Sequence, residues 1–369
     1  MRPSLLVFIS VFQLILLTAH FMVFETWMHF WAPTSFVGVL VLKSGLLVLS
    51  ISFVAASLLS FRYWNAPVRA VYRVAAVWLG IFNFLFLAAL GAWLSKLAAS
   101  LAGMHPNHRA LAAVWFGAAL LAAFWGLVNA SVTRISRIKI RLPNLPAAWR
   151  GRSAAMISDL HLGHVRGANF ARNIVARIRQ LKPEIVFLAG DLYDGSHADL
   201  DALASPLRGL NAPLGNFFVA GNHEEIQNPA GHLKAAKNAG LRLLNNEKIT
   251  VDGLQIIGVH HRDAAHPQRL NSVLEGAAID RDQPSVLIVH APDQLAVAER
   301  AGISLQLSGH THRGQFFPWT WFTKRIYKQF VYGLQKFGDM FVYTSSGAGT
   351  WGPPMRVCSH PEIVLIQFE

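Results

Sequence analysis

The feature that most limits how this chain can fold is its first 131 residues, which carry only eight charged side chains: Glu25, Lys43, Lys96, Arg2, Arg62, Arg69, Arg73 and Arg109. Four apolar runs fill this stretch, at roughly 4–24, 36–61, 74–94 and 110–130. Each matches the ~20 residues that a helix rising ~1.5 Å per residue needs to cross ~30 Å of hydrocarbon. Residues 1–131 are therefore predicted to be four transmembrane helices, which excludes a wholly soluble protein. A cleaved signal peptide fits the first run poorly, because its apolar core exceeds the usual ~7–15 residues and three further runs follow.

Lys and Arg in short loops stay on the cytoplasmic side. Arg2, then Arg62, Arg69 and Arg73, then Arg134, Arg137, Lys139 and Arg141 fall on one face, against Lys96 and Arg109 on the other. This bias predicts a multi-pass protein of the inner (cytoplasmic) membrane, with both termini and everything after the fourth run in the cytoplasm. None of the four runs contains an acidic residue, which argues against an ion-coupled transporter. The single cysteine, Cys358, permits no internal disulfide, so the fold does not depend on an oxidising compartment.

Residues 132–152 are basic at first and then interrupted by Pro143 and Pro146, and they read as a basic linker that sets topology and can hold the following domain against anionic lipid. From 153 to 369 the pattern becomes short apolar runs that end in polar clusters, with helical segments between some of them. Such alternation indicates an α/β domain whose site lies at the carboxyl ends of its strands. In order, those ends supply Asp159 and His161, then Asp191, then Asn222 and His223, then His290, and finally His310 and His312. Carboxylate, imidazole and amide without thiolate suit Mn²⁺, Fe²⁺ or a catalytic Zn²⁺ better than a structural zinc. One such pair would mean little, but five clusters at five strand ends form a metal-centre pattern.

The motifs Asp159-Leu160-His161, Gly190-Asp191-Leu192-Tyr193-Asp194, Gly221-Asn222-His223-Glu224, His290 and Gly309-His310-Thr311-His312 resemble, in order, the five signature blocks of the calcineurin-like metallophosphoesterases. The resemblance covers residues 153–369 and implies a four-layered α/β/β/α sandwich carrying two divalent metal ions. By resemblance, Asp159, His161 and His312 hold one ion, Asn222, His290 and His310 hold the other, and Asp191 bridges both. His223 contacts the phosphate and gives a proton to the leaving oxygen. Two ions ~3.5–4 Å apart can activate a water and offset the charge that develops at phosphorus during in-line displacement. Mn²⁺ is the first expectation for the metal, with Fe²⁺ or Zn²⁺ as alternatives. Glu224 and Asp194 are candidates to orient these groups or to lie on the solvated surface. His164 and His197 read as loop residues, and His260 and His261 as structural or surface residues, although one of the latter could face the cleft.

Within the superfamily, SDLHLG, Gly314-Gln315 directly after the last histidine motif, and the run SSGAGTWGPPMR resemble a membrane-associated bacterial phosphodiesterase subgroup. Arg313 stands where that subgroup usually has glycine, and its guanidinium could meet a substrate phosphate or solvent. The following QFFPWTWFTKRIYKQFVYG interleaves aromatic with cationic residues, as an interfacial segment would, or as a hydrophobic loop folded on its own domain would.

The expected activity is thus hydrolysis of a phosphodiester or pyrophosphate, in a membrane lipid or a lipid precursor such as UDP-diacylglucosamine, which related enzymes cleave. A tethered phosphodiesterase or protein phosphatase with a soluble substrate is the alternative. A catalytically silent sensor or scaffold is disfavoured by the intact ligand set. Residues beyond 131 have a net charge of +7, but no nucleic-acid-binding motif accompanies it, so no nucleic-acid partner is expected.

Overall fold

The computed structural model describes residues 3–33 and 35–369, so Arg2, one of the topology-setting cations, lies outside the described residues. It divides into two compact units, one comprising residues up to Val128 with Gly352–Met355, the other Asn129–Trp351 with Arg356–Glu369.

The first unit is built from α1 (Pro3–Trp31), α2 (Phe36–Ser60), α3 (Ala66–Leu101) and all but the last turn of α4 (His108–Ser131), each helix long and apolar enough to cross a membrane. Lipid tails are as apolar as the helices, so these must associate through close packing and hydrogen bonds. α3 buries small residues such as Ala75, Ala76, Ala88, Ala89 and Ala92, while Trp78 donates to His20 at 3.1 Å and Trp93 donates to Thr26 at 2.9 Å. α3 is longer than the apolar run that signalled it. Asn65 caps its start by accepting from the Val68 amide, so Arg69 and Arg73 lie within its first turns rather than in a loop.

The second unit is a sandwich of two six-stranded sheets. Its strands are β1 (Arg134–Ile140), β2 (Ser153–Ile157), β3 (Ile185–Ala189), β4 (Asn216–Val219), β5 (Arg242–Leu243), β6 (Glu247–Val251), β7 (Leu254–Gly258), β8 (Ser285–Ile288), β9 (Leu305–Ser308), β10 (Gly333–Phe337), β11 (Met340–Thr344) and β12 (Glu362–Phe368). One sheet runs β1-β12-β2-β3-β4-β5 and the other β10-β11-β9-β8-β7-β6. Phe187, Val219, Met156 and Val364 of the first sheet meet Ile256, Val286, Leu307 and Tyr343 of the second in one buried core. α5 (Ala168–Leu181), α6 (Leu200–Ala204) and α7 (Pro229–Asn238) follow strands of the first sheet, and α8 (His261–Ala264), α9 (Pro267–Gly276), α10 (Leu295–Arg300) and α11 (Trp319–Tyr327) follow strands of the second. α5 buries Ala171, Ile174, Val175 and Ile178, a one-sided stripe of the kind that packs a helix on a sheet. Leu270, Leu274, Val297 and Ala298 of α9 and α10 pack against Ile257, Leu287 and Val342 of the second sheet, completing the α/β/β/α order there.

The expected basic linker is in part a strand. Arg134–Ile140 alternates polar with apolar residues only from Arg137 to Ile140, and as β1 it pairs in parallel with β12 from Arg134 opposite Glu362 to Ile140 opposite Phe368. Trp149 is completely buried, donates to the Val251 carbonyl at 2.9 Å and stands edge-on to Phe368. The charges in this segment attract notice in the sequence, but pairing with β12 decides the structure.

Candidate metal centre

β2, β3 and β4 run parallel in one sheet, as do β7, β8 and β9 in the other. Their carboxyl ends deliver the polar residues. Asp159 and His161 follow β2, Asp191 follows β3, Asn222 and His223 follow β4, His290 follows β8, and His310 and His312 follow β9. The chain must turn sharply there, and Asp159, His161, Asp191, His310 and His312 all have φ between 47° and 69°. Left-handed backbone is unfavourable for residues with a Cβ, and its concentration at these five positions marks strain held by the surrounding structure. The restraints are visible. The Asp159 amide donates to Gly190 O at 3.0 Å, His161 to Asp191 O at 3.1 Å, and Gly349 to Asp159 O at 2.9 Å. Gly221 is required by space, since a Cβ on it would collide with the Asp191 carboxylate.

Ligand-type atoms converge in neighbouring groups. One atom each from Asp159, His161 and His312 lie within 4.8 Å of one another, and so do one each from Asp191, His290 and His310. His161 Nε2 and His312 Nε2 are 3.0 Å apart. Around His290 Nε2, the Asp191 carboxylate, Asn222 Oδ1 and His310 Nδ1 each stand at 3.1 Å. The His290 Nδ1–H is already given to Ala189 O at 2.8 Å, which turns the Nε2 lone pair towards that cluster. Lone pairs so crowded need a proton or a cation among them, and the donor set fits a divalent cation.

The electrostatics agree. Burial, reinforced by neighbouring imidazoles, keeps His161 and His312 well below the ordinary histidine range and lowers His310 to about 3, so all three offer neutral lone pairs at neutral pH. Burial would lower His290 as well, but the carboxylates of Asp191 and Asp159 outweigh it and raise it to about 10. Burial would raise Asp191, but His290 and the other imidazoles hold it well below the carboxylate range. The proton that this buried pair retains occupies the place a metal cation fits.

His223 donates its amide to Asp191 Oδ1 at 2.9 Å and ties Nδ1 to the Asp194 carbonyl at 2.8 Å, which leaves Nε2 free. Its ring stands edge-on to His161, with centroids 4.7 Å apart, and faces the exposed Trp351. Glu224 is fully buried and accepts from the amides of Gly221 at 2.7 Å, Asp191 at 2.9 Å and Tyr193 at 3.1 Å. It therefore binds two ligand-bearing loops together by their backbones. Burial and Asp191 push Glu224 up to about 7. The Asp194 carboxylate accepts from the amides of His164 and Ser196, so it shapes its own loop, and only its carbonyl serves His223. His164 is buried with its ring 3.0 Å from Ser196 Oγ, and His197 is exposed.

Three findings go beyond what the sequence showed. His261 faces the centre, with ring centroids 5.6 Å from His290 and 6.1 Å from His310, whereas His260 caps α8. The Arg313 guanidinium lies 4.6 Å from the Tyr332 ring centroid, an aromatic partner that the motif gave no sign of. Arg356 was missed entirely. It is completely buried, donates to His312 O, Ser346 O and Gly349 O, and places Nη2 3.2 Å from His312 Nδ1. The quoted run SSGAGTWGPPMR contained it, and a lone arginine ending a Gly/Pro-rich run was the available signal. Gln315 pairs both ways with the Trp351 backbone, at 2.9 Å in each direction, and so joins the two subgroup motifs.

Residues 153–314 match the family model for calcineurin-like phosphoesterases. The chain is 31% identical to an uncharacterized metallophosphoesterase of Helicobacter pylori over 69% of its own length and 70% of that protein's. It is also 31% identical to a metallophosphoesterase of Aquifex aeolicus, over 69% of this chain and 98% of that one. A transmembrane protein with a metallophosphoesterase domain from Danio rerio is 31% identical over 66% of this chain, which spans 59% of that relative.

Proposed function

Because the chain belongs to the calcineurin-like metallophosphoesterase family, we propose that it is a membrane-anchored phosphohydrolase that uses two divalent ions to cleave a phosphodiester or pyrophosphate. Asp159, His161 and His312 would hold one ion, Asn222, His290 and His310 the other, with Asp191 shared. The observation that carries this reading is the crowding of Asp191, Asn222 and His310 acceptors at 3.1 Å around the His290 lone pair, an arrangement suited to a cation. When bound, the ions would supply a water of lowered pKa and a positive field at the phosphoryl oxygens. Mn²⁺ is the proposed native metal.

The chain's own residues do the rest. Glu224 and the tied loop backbones fix the ligands before substrate arrives, so little reorganisation is needed. His223, held by Asp194 O through Nδ1, keeps Nε2 available to protonate the leaving oxygen. Four membrane-spanning helices support a substrate that resides in the bilayer, a lipid or lipid precursor such as UDP-diacylglucosamine. The charge bias of the loops supports a cytoplasmic site at the inner membrane.

Full-length protein in nanodiscs tests this. Mn²⁺-dependent hydrolysis of bis(p-nitrophenyl) phosphate, abolished by Asp191→Asn, is the expected result. Absence of turnover with every divalent ion, for that substrate and for a lipid pyrophosphate, in protein shown to bind two metals, would overturn it. Turnover of soluble diesters or phosphopeptides with none of lipid substrates would refute the lipid assignment alone.

A further inference from the structure

α11 and its flanks are not explained by the metal centre. From Arg300 to Gly338 there is no acidic residue, while Arg300, Arg313, Lys324, Arg325, Lys328 and Lys336 are all basic. α11 itself buries none of its side chains. Trp319, Phe322 and Ile326, at i, i+3 and i+7, form one apolar stripe along it and are 52%, 46% and 69% exposed, respectively. Arg325 lies over Trp321, whose ring meets that of Phe322 edge-on. Trp319, Trp321 and Phe322 thus form an exposed aromatic cluster of a kind that soluble surfaces rarely show.

This helix is fastened to the ligand turn. Gly314 has φ +70°, and a Cβ there would collide with the backbone of Thr320. At the far end of the excursion Thr311 Oγ1 donates to Val331 O at 2.8 Å, and Tyr327 stands edge-on to the His310 ring. α11 is thus packed against the turn that carries His310 and His312. The occupant is indicated by charge and by chain connection: a cationic, aromatic face fits anionic phospholipid, and only two residues separate the membrane-spanning α4 from β1.

We infer that α11 is an interfacial helix that seats its Trp319–Phe322–Ile326 stripe at the headgroup–acyl boundary of an anionic bilayer. The metal centre is thereby held next to lipid phosphates, an inference that rests on the hydrolase reading for its purpose but not for its test. Trp, Phe and Ile enter the boundary, and Lys324, Arg325 and Lys328 meet the phosphates.

The test is nitroxide labelling of full-length protein in phosphatidylglycerol nanodiscs, on a Cys358→Ser background, at Trp319→Cys, Phe322→Cys, Ile326→Cys, Lys324→Cys and Gln329→Cys. Power-saturation electron paramagnetic resonance should give oxygen accessibility exceeding that of water-soluble nickel at 319, 322 and 326, and the reverse at 324 and 329. The triple substitution of Lys324, Arg325 and Lys328 by Gln should lessen the contrast. Nickel accessibility dominating at all five positions would overturn the inference, as would exclusion of both reagents at the stripe, the signature of protein contact. A dry or water-exposed α11 in protein that still hydrolyses bis(p-nitrophenyl) phosphate would refute this inference and leave the hydrolase standing. An inserted α11 in inactive protein would do the opposite.

Discussion

Arg356→Lys probes a residue whose importance only the folded chain reveals. Its guanidinium donates through Nε to Gly349 O at 3.2 Å, through one terminal nitrogen to His312 O at 3.1 Å, and through the other to Ser346 O at 2.6 Å and Gly349 O at 2.7 Å. The carbonyls lie around a planar fork, and an ammonium offers its donors from a single point. Lysine therefore leaves at least one buried carbonyl unpaired at about 1–3 kcal/mol and forfeits a charge-assisted bond of similar size, a loss of about 2–6 kcal/mol. For a domain of this size that corresponds to a fall of roughly 4–24 °C in melting temperature. The substitution also frees the turn carrying His312, so the Asp159–His161–His312 group should bind its metal about 10–100-fold more weakly, as when a ligand's supporting partner is removed. The other group should retain its ion. Thermal unfolding followed by fluorescence, with metal per chain measured after dialysis against graded chelator, reads both effects. A melting temperature within a degree of the parent together with two retained metals would refute the reasoning.

Arg313→Gly relieves a left-handed backbone, φ +49°, so stability should stay level or rise by about 1 kcal/mol. If Arg313 meets the substrate phosphate, KM should rise with kcat little changed, and identical kinetics would remove it from the substrate site. Trp149→Ala should cost about 3–5 kcal/mol by denaturant titration, and a loss below about 1 kcal/mol would show that the segment before β2 is not part of the core. Removing metal with chelator should lower the melting temperature, because ligand at 100 times its Kd contributes about 2.7 kcal/mol. Restoring Mn²⁺ should recover it, and a melting temperature indifferent to both would contradict a metal centre formed by Asp191, His290 and His310.

Much of this protein follows from local sequence. Four long apolar runs with no acidic residue and a single charge, Lys43, have one stable outcome, because a helix satisfies its own backbone in lipid. The metal-centre residues are legible for a similar reason: each stands directly after a short buried strand, and parallel strands bring such ends to one edge whatever the details of packing. Other features were decided only by tertiary structure. Arg134–Ile140 shows only a short alternation, from Arg137 to Ile140, and pairing with β12, distant in sequence, made it an edge strand. Glu224 adjoins a motif, but its task is to bind backbones 31 and 33 residues away. His261 could have turned either way at the end of β7, and its neighbours His290 and His310 come from later strands. Arg356 reaches a histidine 44 residues earlier in the chain. Composition and periodicity record what a residue prefers among its neighbours in sequence, whereas burial of a charge among carbonyls depends on which distant backbones the fold brings within about 3 Å, a hydrogen-bond distance.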